Sequence, residues 1–148
     1  MISNDSQFRE ILGELGLQEQ RRVAALFVDN VLPLSDDQRL LQIVTSLKEG
    51  LPEEALSAPF KEAKATSLEA HTRCGTEGDW DEQAAYFVAR ATQASVEPQL
   101  RSGGKNPAWR AAMQSRMART CLASESDEDS HNSETTAQYI ILNNYLNR

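Results

Sequence analysis

Residues 21–50 read RRVAALFVDNVLPLSDDQRLLQIVTSLKEG, and this stretch decides the fold class. Val23, Phe27 and Val31 recur every four residues, Leu26 and Val28 widen the stripe, and Pro33 stops it because proline has no amide hydrogen for a helical ladder. The pattern predicts a buried helix over residues 21–32. Ser35 and Gln38 have the spacing of a capping box, in which both side chains satisfy free backbone donors of a first helical turn. Leu40, Leu41, Val44 and Leu47 then repeat at helical spacing as far as Gly50, predicting a well-bounded third helix.

Outward from this stretch the same period continues. Phe8, Ile11, Leu12 and Leu15 follow the capping candidates Asn4, Asp5 and Ser6 and stop at Gly16, which predicts a short first helix. Pro52 with Glu53 and Glu54 suits a single turn, and a longer helix is expected from about Pro59 to Cys74. Asp79 and Glu82 open a segment from Trp80 to Val96 that is dominated by alanine, as is the helix before it. Small residues on both let their axes approach, so these two are expected to form a central hairpin.

Pro98 to Asn106, with Gly103 and Gly104, reads as a loop, and Asn106-Pro107 opens another helix. Trp109, Met113, Met117 and Cys121 share one face of it and are expected in the core. Residues 124–133 are acidic and nearly free of apolar side chains, which predicts a mobile linker. Tyr139, Ile140, Leu142, Tyr145 and Leu146 need burial and predict a last helix ending near Asn147. No β-branched segment alternates with period two, so the expectation is an all-α, single-domain bundle of six to seven helices spanning residues 1–148.

Composition narrows the function. The 148 residues carry a net charge of −7, which repels nucleic acid and anionic membranes and suits a basic partner. The longest apolar run, Val23 to Val28, is far too short to span a bilayer. The first residues lack the basic and apolar runs of a secretory signal, and two cysteines are too few for a disulfide framework, so a cytoplasmic location with free Cys74 and Cys121 is expected. Residues 99–124 hold five basic groups and no acidic one. Of these, Arg116 and Arg119 are expected on the outer flank of their helix, paired with Glu125, Asp127, Glu128 and Asp129, in preference to a phosphate-binding surface built from all five, Arg101, Lys105, Arg110, Arg116 and Arg119, with Trp109.

Candidate chemistry is sparse. His71, Cys74, Cys121 and His131 supply zinc-type ligands at no standard zinc spacing. His71 one turn from Cys74 resembles half of a thiol catalytic pair, but no glycine-rich oxyanion or phosphate loop accompanies it. The reading is therefore no catalytic residue, no metal site and no cofactor. The remaining candidates are the acids at helix starts, Asp36, Asp37, Glu53, Glu54, Asp79, Asp81 and Glu82, which serve capping and also form an acidic face for a basic protein.

The segment Ala24 to Leu34, followed by an amphipathic helix ending in Lys48-Glu49-Gly50, resembles the opening of a family of all-helical immunity proteins from bacterial polymorphic toxin systems. The resemblance continues through Phe60 to Cys74, with Ala70-His71 inside, and through Ala84 to Ser95, with its run Ala89-Arg90-Ala91-Thr92. It covers residues 22–96, and the chain departs from the family pattern after Val96. The resemblance implies a cytoplasmic protein that binds and neutralises a cognate toxin, with no cofactor. The acidity read above would suit a basic toxin domain, for instance a nuclease. The other expectation, independent of the resemblance, is a stand-alone helical adaptor or regulatory domain.

Overall fold

The helix starts are fixed by short polar side chains placed one step outside each first turn. The computed structural model describes residues 1–74, 79–99, 106–122 and 129–148, with the side chains of all of these except 129–132. Asn4 accepts from the Gln7 amide at 2.9 Å and starts α1, Asp5–Glu14. Gly16, in extended backbone, precedes α2, Leu17–Val31, so this helix begins four residues before the expected Arg21. Leu32–Leu34 then tightens into a 3-10 turn containing Pro33.

The expected Ser35–Gln38 capping box does not form. Asp37 caps α3, Gln38–Gly50, by accepting from the Arg39 amide at 2.9 Å, and Ser35 Oγ instead accepts from the Asp37 amide at 3.2 Å. The shorter, charged aspartate stands next to the free donors, which makes Gln38 the first helical residue and too early to reach back. A 3-10 turn at Glu53–Ala55 leads into α4, Ser57–Cys74, whose first turn tolerates Pro59. Asp79 caps α5, Trp80–Val96, through the Asp81 amide, and Asn106 caps α6, Pro107–Leu122, through the Trp109 amide. The last helix, α7, is Asp129–Leu146. It begins inside the stretch expected as a linker, and residues 123–128 lie outside the described residues, as do residues 100–105 of the loop expected from Pro98 to Asn106.

The chain is thus all-α, with seven α-helices and no strand among the described residues. Helices α2, α5 and α6 form the centre: α5 packs most extensively on α6, next on α4, and α2 packs on α3, α5, α6 and α7. The expected α4–α5 pair exists, but the closest partner of α5 is α6. Its cause is the buried face of α6, which is Ala108, Ala111, Ala112, Ser115 and Ala118, where the sequence suggested Trp109, Met113 and Met117. Small side chains let the α5 and α6 backbones approach, and Met117 is 45% exposed, with Trp109 and Met113 at the edge of the core. Ile140 and Leu146 are likewise exposed, contrary to expectation, and so is Leu41 on α3, while Ile43, Leu142 and Tyr145 are buried.

Phe8 is the aromatic hub. Its ring lies 5.5 Å from Phe27, 6.1 Å from Trp109 and 5.2 Å from Tyr139, joining α1 to α2, α6 and α7.

Three arginines bind the helices together, Arg21 and Arg116 from inside and Arg119 from the edge. Arg21, 1% exposed, forks onto Glu53 with Nε and Nη2 at 2.9 and 2.8 Å and donates to the carbonyls of Ser95 and Glu97 at 2.9 Å each. A cation at the C-terminal end of α5 satisfies carbonyls that have no helical donor. Arg116 donates to both Asp5 carboxylate oxygens at 2.8 and 2.9 Å and to Gln138 Oε1 at 2.8 Å, and Gln138 Nε2 donates to the Ala112 carbonyl. Arg119 donates to Glu134 and to the Asn30 carbonyl, and Asn30 Nδ2 donates to both Glu134 oxygens. Arg116 is buried, which corrects its expected place on the outer flank, and it meets Asp5 and Gln138, while Arg119 meets Glu134 and Asn30; the side chains of Glu125, Asp127, Glu128 and Asp129, expected as their partners, lie outside the described residues. The buried face of α7 is half polar, with Glu134 and Gln138 a turn apart above Leu142 and Tyr145.

Candidate functional site

The acids singled out in the sequence separate into two groups. Asp36 and Asp37, from the segment between the Leu32–Leu34 turn and α3, meet Asp81 and Glu82, from the first turn of α5, in one open cleft of about 500 Å³ also lined by Pro33 and Leu34. Asp79, exposed, stands one residue before α5 as its cap. Glu53 lies elsewhere and is committed to Arg21, and Glu54 is exposed on the same 3-10 turn, away from the cleft. A surface role for Glu53 is thereby displaced by a structural one, since its carboxylate neutralises a buried guanidinium and accepts from the Gln99 amide at 3.0 Å.

The two helix starts explain the gathering of charge. Each N-terminus exposes unpaired amides and the positive end of the helix dipole, which stabilises Asp or Glu in the first turn. Packing the start of α5 beside the turn before α3 puts two such acid-rich starts face to face. Asp37 is pinned by Arg39, which also reaches Glu69 at 2.6 Å. Hydrogen bonds from the Arg39 side chain, ahead of burial acting the other way, hold the Asp37 carboxyl below its usual value. Among the described residues, Asp36, Asp81 and Glu82 have no ion-pair partner, and Arg73 is the basic residue in the wall. The cleft therefore keeps an excess of negative charge facing solvent.

Among the described residues no group of three or more His, Cys, Asp or Glu side chains converges to hold a metal ion, the cleft acids included. His71 stacks at 5.4 Å from the Tyr86 ring. Burial, then the charges of Glu82 and Asp79, pushes the Cys74 thiol above its ordinary value, and burial does the same for Cys121. Both cysteines are free thiols kept in the protonated, weakly nucleophilic form. The His131 side chain lies outside the described residues, as do Arg101 and Lys105. The other cations of the basic block are consumed internally, Arg110 by Glu97, Arg116 by Asp5 and Arg119 by Glu134.

Sequence reasoning missed the inward arginines, although a signal was present. Arg21 falls on the stripe of Ala24, Ala25 and Val28, and Arg116 on that of Ala108 and Ala112, so each cation shares a face with core residues. No helix among the described residues is long and apolar enough to cross a membrane. No protein-family model matches the chain, and no curated protein and no solved structure matches it.

Proposed function

We propose that the chain is a non-catalytic helical domain that binds a basic partner protein through the cleft of Asp36, Asp37, Asp81 and Glu82. The observation that carries this reading is the meeting of four carboxylates from two helix starts, three of them without an ion-pair partner among the described residues. Internal pairing of Arg21, Arg110, Arg116 and Arg119 supports it further, because these four of the 15 cations are committed to carboxylates of the chain while the net charge is −7. Such a field speeds encounter with cationic surfaces and rejects phosphate-rich ones. The immunity-type form of the reading, neutralisation of a basic toxin domain, rests on the sequence resemblance over residues 22–96.

The test is charge reversal at the three unpaired acids, Asp36→Lys, Asp81→Lys and Glu82→Lys together, leaving the Asp37 cap and Glu53 intact. Proteins retained by the wild type from source-cell lysate at low salt are compared with those retained by the triple variant. A basic protein held in near-equal amount by the wild type, released by salt and lost from a correctly folded variant supports the reading. Its retention by the variant refutes it.

A further inference from the structure

A second cleft, on the opposite sign of charge, lies where α5 crosses α6. Arg90 and Gln93 project into it from one face of α5, and Trp109, Arg110, Met113 and Gln114 from one face of α6, around a volume of about 200 Å³. Among the described residues no acidic side chain lines it, in a protein with a net charge of −7. The geometry points to a binding site for a small monocarboxylate with a flat apolar body, held by Arg90 against Trp109 and Met113.

Arg90 is the residue that sets the ligand class. Arg21, Arg39, Arg110, Arg116 and Arg119 each have a carboxylate within ion-pairing distance. Arg90 is half-buried and, among the described residues, has none: Nη1 donates to the Tyr86 hydroxyl at 3.0 Å, and the guanidinium rests 5.9 Å from that ring. Its other donors have no protein acceptor among the described residues. A partly desolvated cation without a counter-ion is completed by an anion, and the planar fork of arginine matches a carboxylate with two parallel hydrogen bonds.

The remaining walls fix charge number, shape and size. Arg110 is already neutralised by Glu97, so one uncompensated positive charge is left and one negative charge answers it. Arg9 lies 4.9 Å from the centre of the Trp109 ring and Phe8 lies 6.1 Å away, which hold the indole in place beside the cleft. The Trp109 side chain and the Met113 thioether supply the apolar part of the wall, and the Gln93 and Gln114 amides, without a hydrogen-bond partner among the described residues, offer donors and acceptors beside them. A volume of about 200 Å³ is below the range of drug-sized pockets and fits a ring with a short acid arm.

Phenylacetate is the probe, with neutral phenylacetamide and inorganic phosphate as controls. The second indole, Trp80, is exposed, so a Trp80→Phe background leaves Trp109 as the fluorescent reporter. The expected result is a saturable change in Trp109 emission with half-saturation near about 1 mM, the level a ligand of this size reaches. Arg90→Gln weakens binding tenfold or more, and phenylacetamide binds at least tenfold more weakly than phenylacetate. Gln93→Glu, which places a carboxylate in the cleft, also weakens binding tenfold or more and decides the matter if Arg90→Gln loses helical circular dichroism. Absence of saturation, equal binding of the amide, unchanged binding in Gln93→Glu, or displacement of phenylacetate by a lower concentration of phosphate overturns the assignment.

Discussion

Replacing Arg116 by methionine tests the claim that α7 is held by polar contacts buried beneath it. The side chain is 4% exposed and ties three helices, with α1 reached through Asp5 and α7 through Gln138. Methionine keeps the packing of the stem and removes the guanidinium. Gln138 Oε1 then loses its donor in a fully buried site, which costs about 1–3 kcal/mol. The Asp5 side chain is 47% exposed, so losing that pair adds only about 0.5–1 kcal/mol after solvent screening. The guanidinium also lies 5.5 Å from the Phe8 ring, a contact of about 0.5–1 kcal/mol. The expected loss is roughly 2–5 kcal/mol, a large share of the stability of a domain this size. In urea, followed by helical circular dichroism, the midpoint falls by roughly 1–2 M with the slope unchanged. The double variant Arg116→Met with Gln138→Leu removes both partners and recovers at least about 1 kcal/mol relative to the sum of the single losses. A loss under about 1 kcal/mol for Arg116→Met, or single effects that simply add, would refute the reasoning.

Other outcomes follow from particular residues. Gly50 closes α3 at φ 105°, and an added Cβ meets Arg22 Nη2 at 2.7 Å. Because that arginine tip can move, the backbone strain dominates, and Gly50→Ala lowers stability by about 1 kcal/mol or more in urea melts. Ala112→Leu overpacks a fully buried position on α6 and costs about 1–3 kcal/mol, read as a lower melting temperature. Glu53 is pushed upward by burial, yet the Arg21 fork and the Gln99 amide leave its carboxyl below the ordinary 4.5. A depressed folded-state value contributes stability that is complete above 4.5 and is lost as pH falls through the lower folded-state value. Urea midpoints therefore drop on acidification from about pH 5 to about pH 3, and Glu53→Gln starts lower at neutral pH and shows a shallower acid limb.

How much of this was legible in the sequence follows from the kind of signal each residue gives. Helix identity came through hydrophobic period and punctuation: Pro33, Gly50, Asp79 and Asn106-Pro107 mark local backbone events that need no tertiary knowledge. Which face turns inward was less legible where alanine replaced bulk. In α6 the large side chains Trp109, Met113 and Met117 suggested the core, but the alanines won because they allow closer axes. The polar seam of α7 was invisible because Glu134 and Gln138 find their partners Asn30, Arg119 and Arg116 only once the helices dock. For the acids, sequence position gave the helix starts, and packing decided that Asp36, Asp37, Asp81 and Glu82 share a cleft while Glu53 serves Arg21.

The central claim is that a basic protein docks where these two helix starts meet. Amide NMR spectra of the labelled chain, titrated with the basic protein recovered at low salt, test it most directly. The account predicts shifts concentrated at residues 34–37 and 81–85, reversed by added salt and absent in the triple lysine variant. Shifts centred on other surfaces, or the same shifts in that variant, would contradict it.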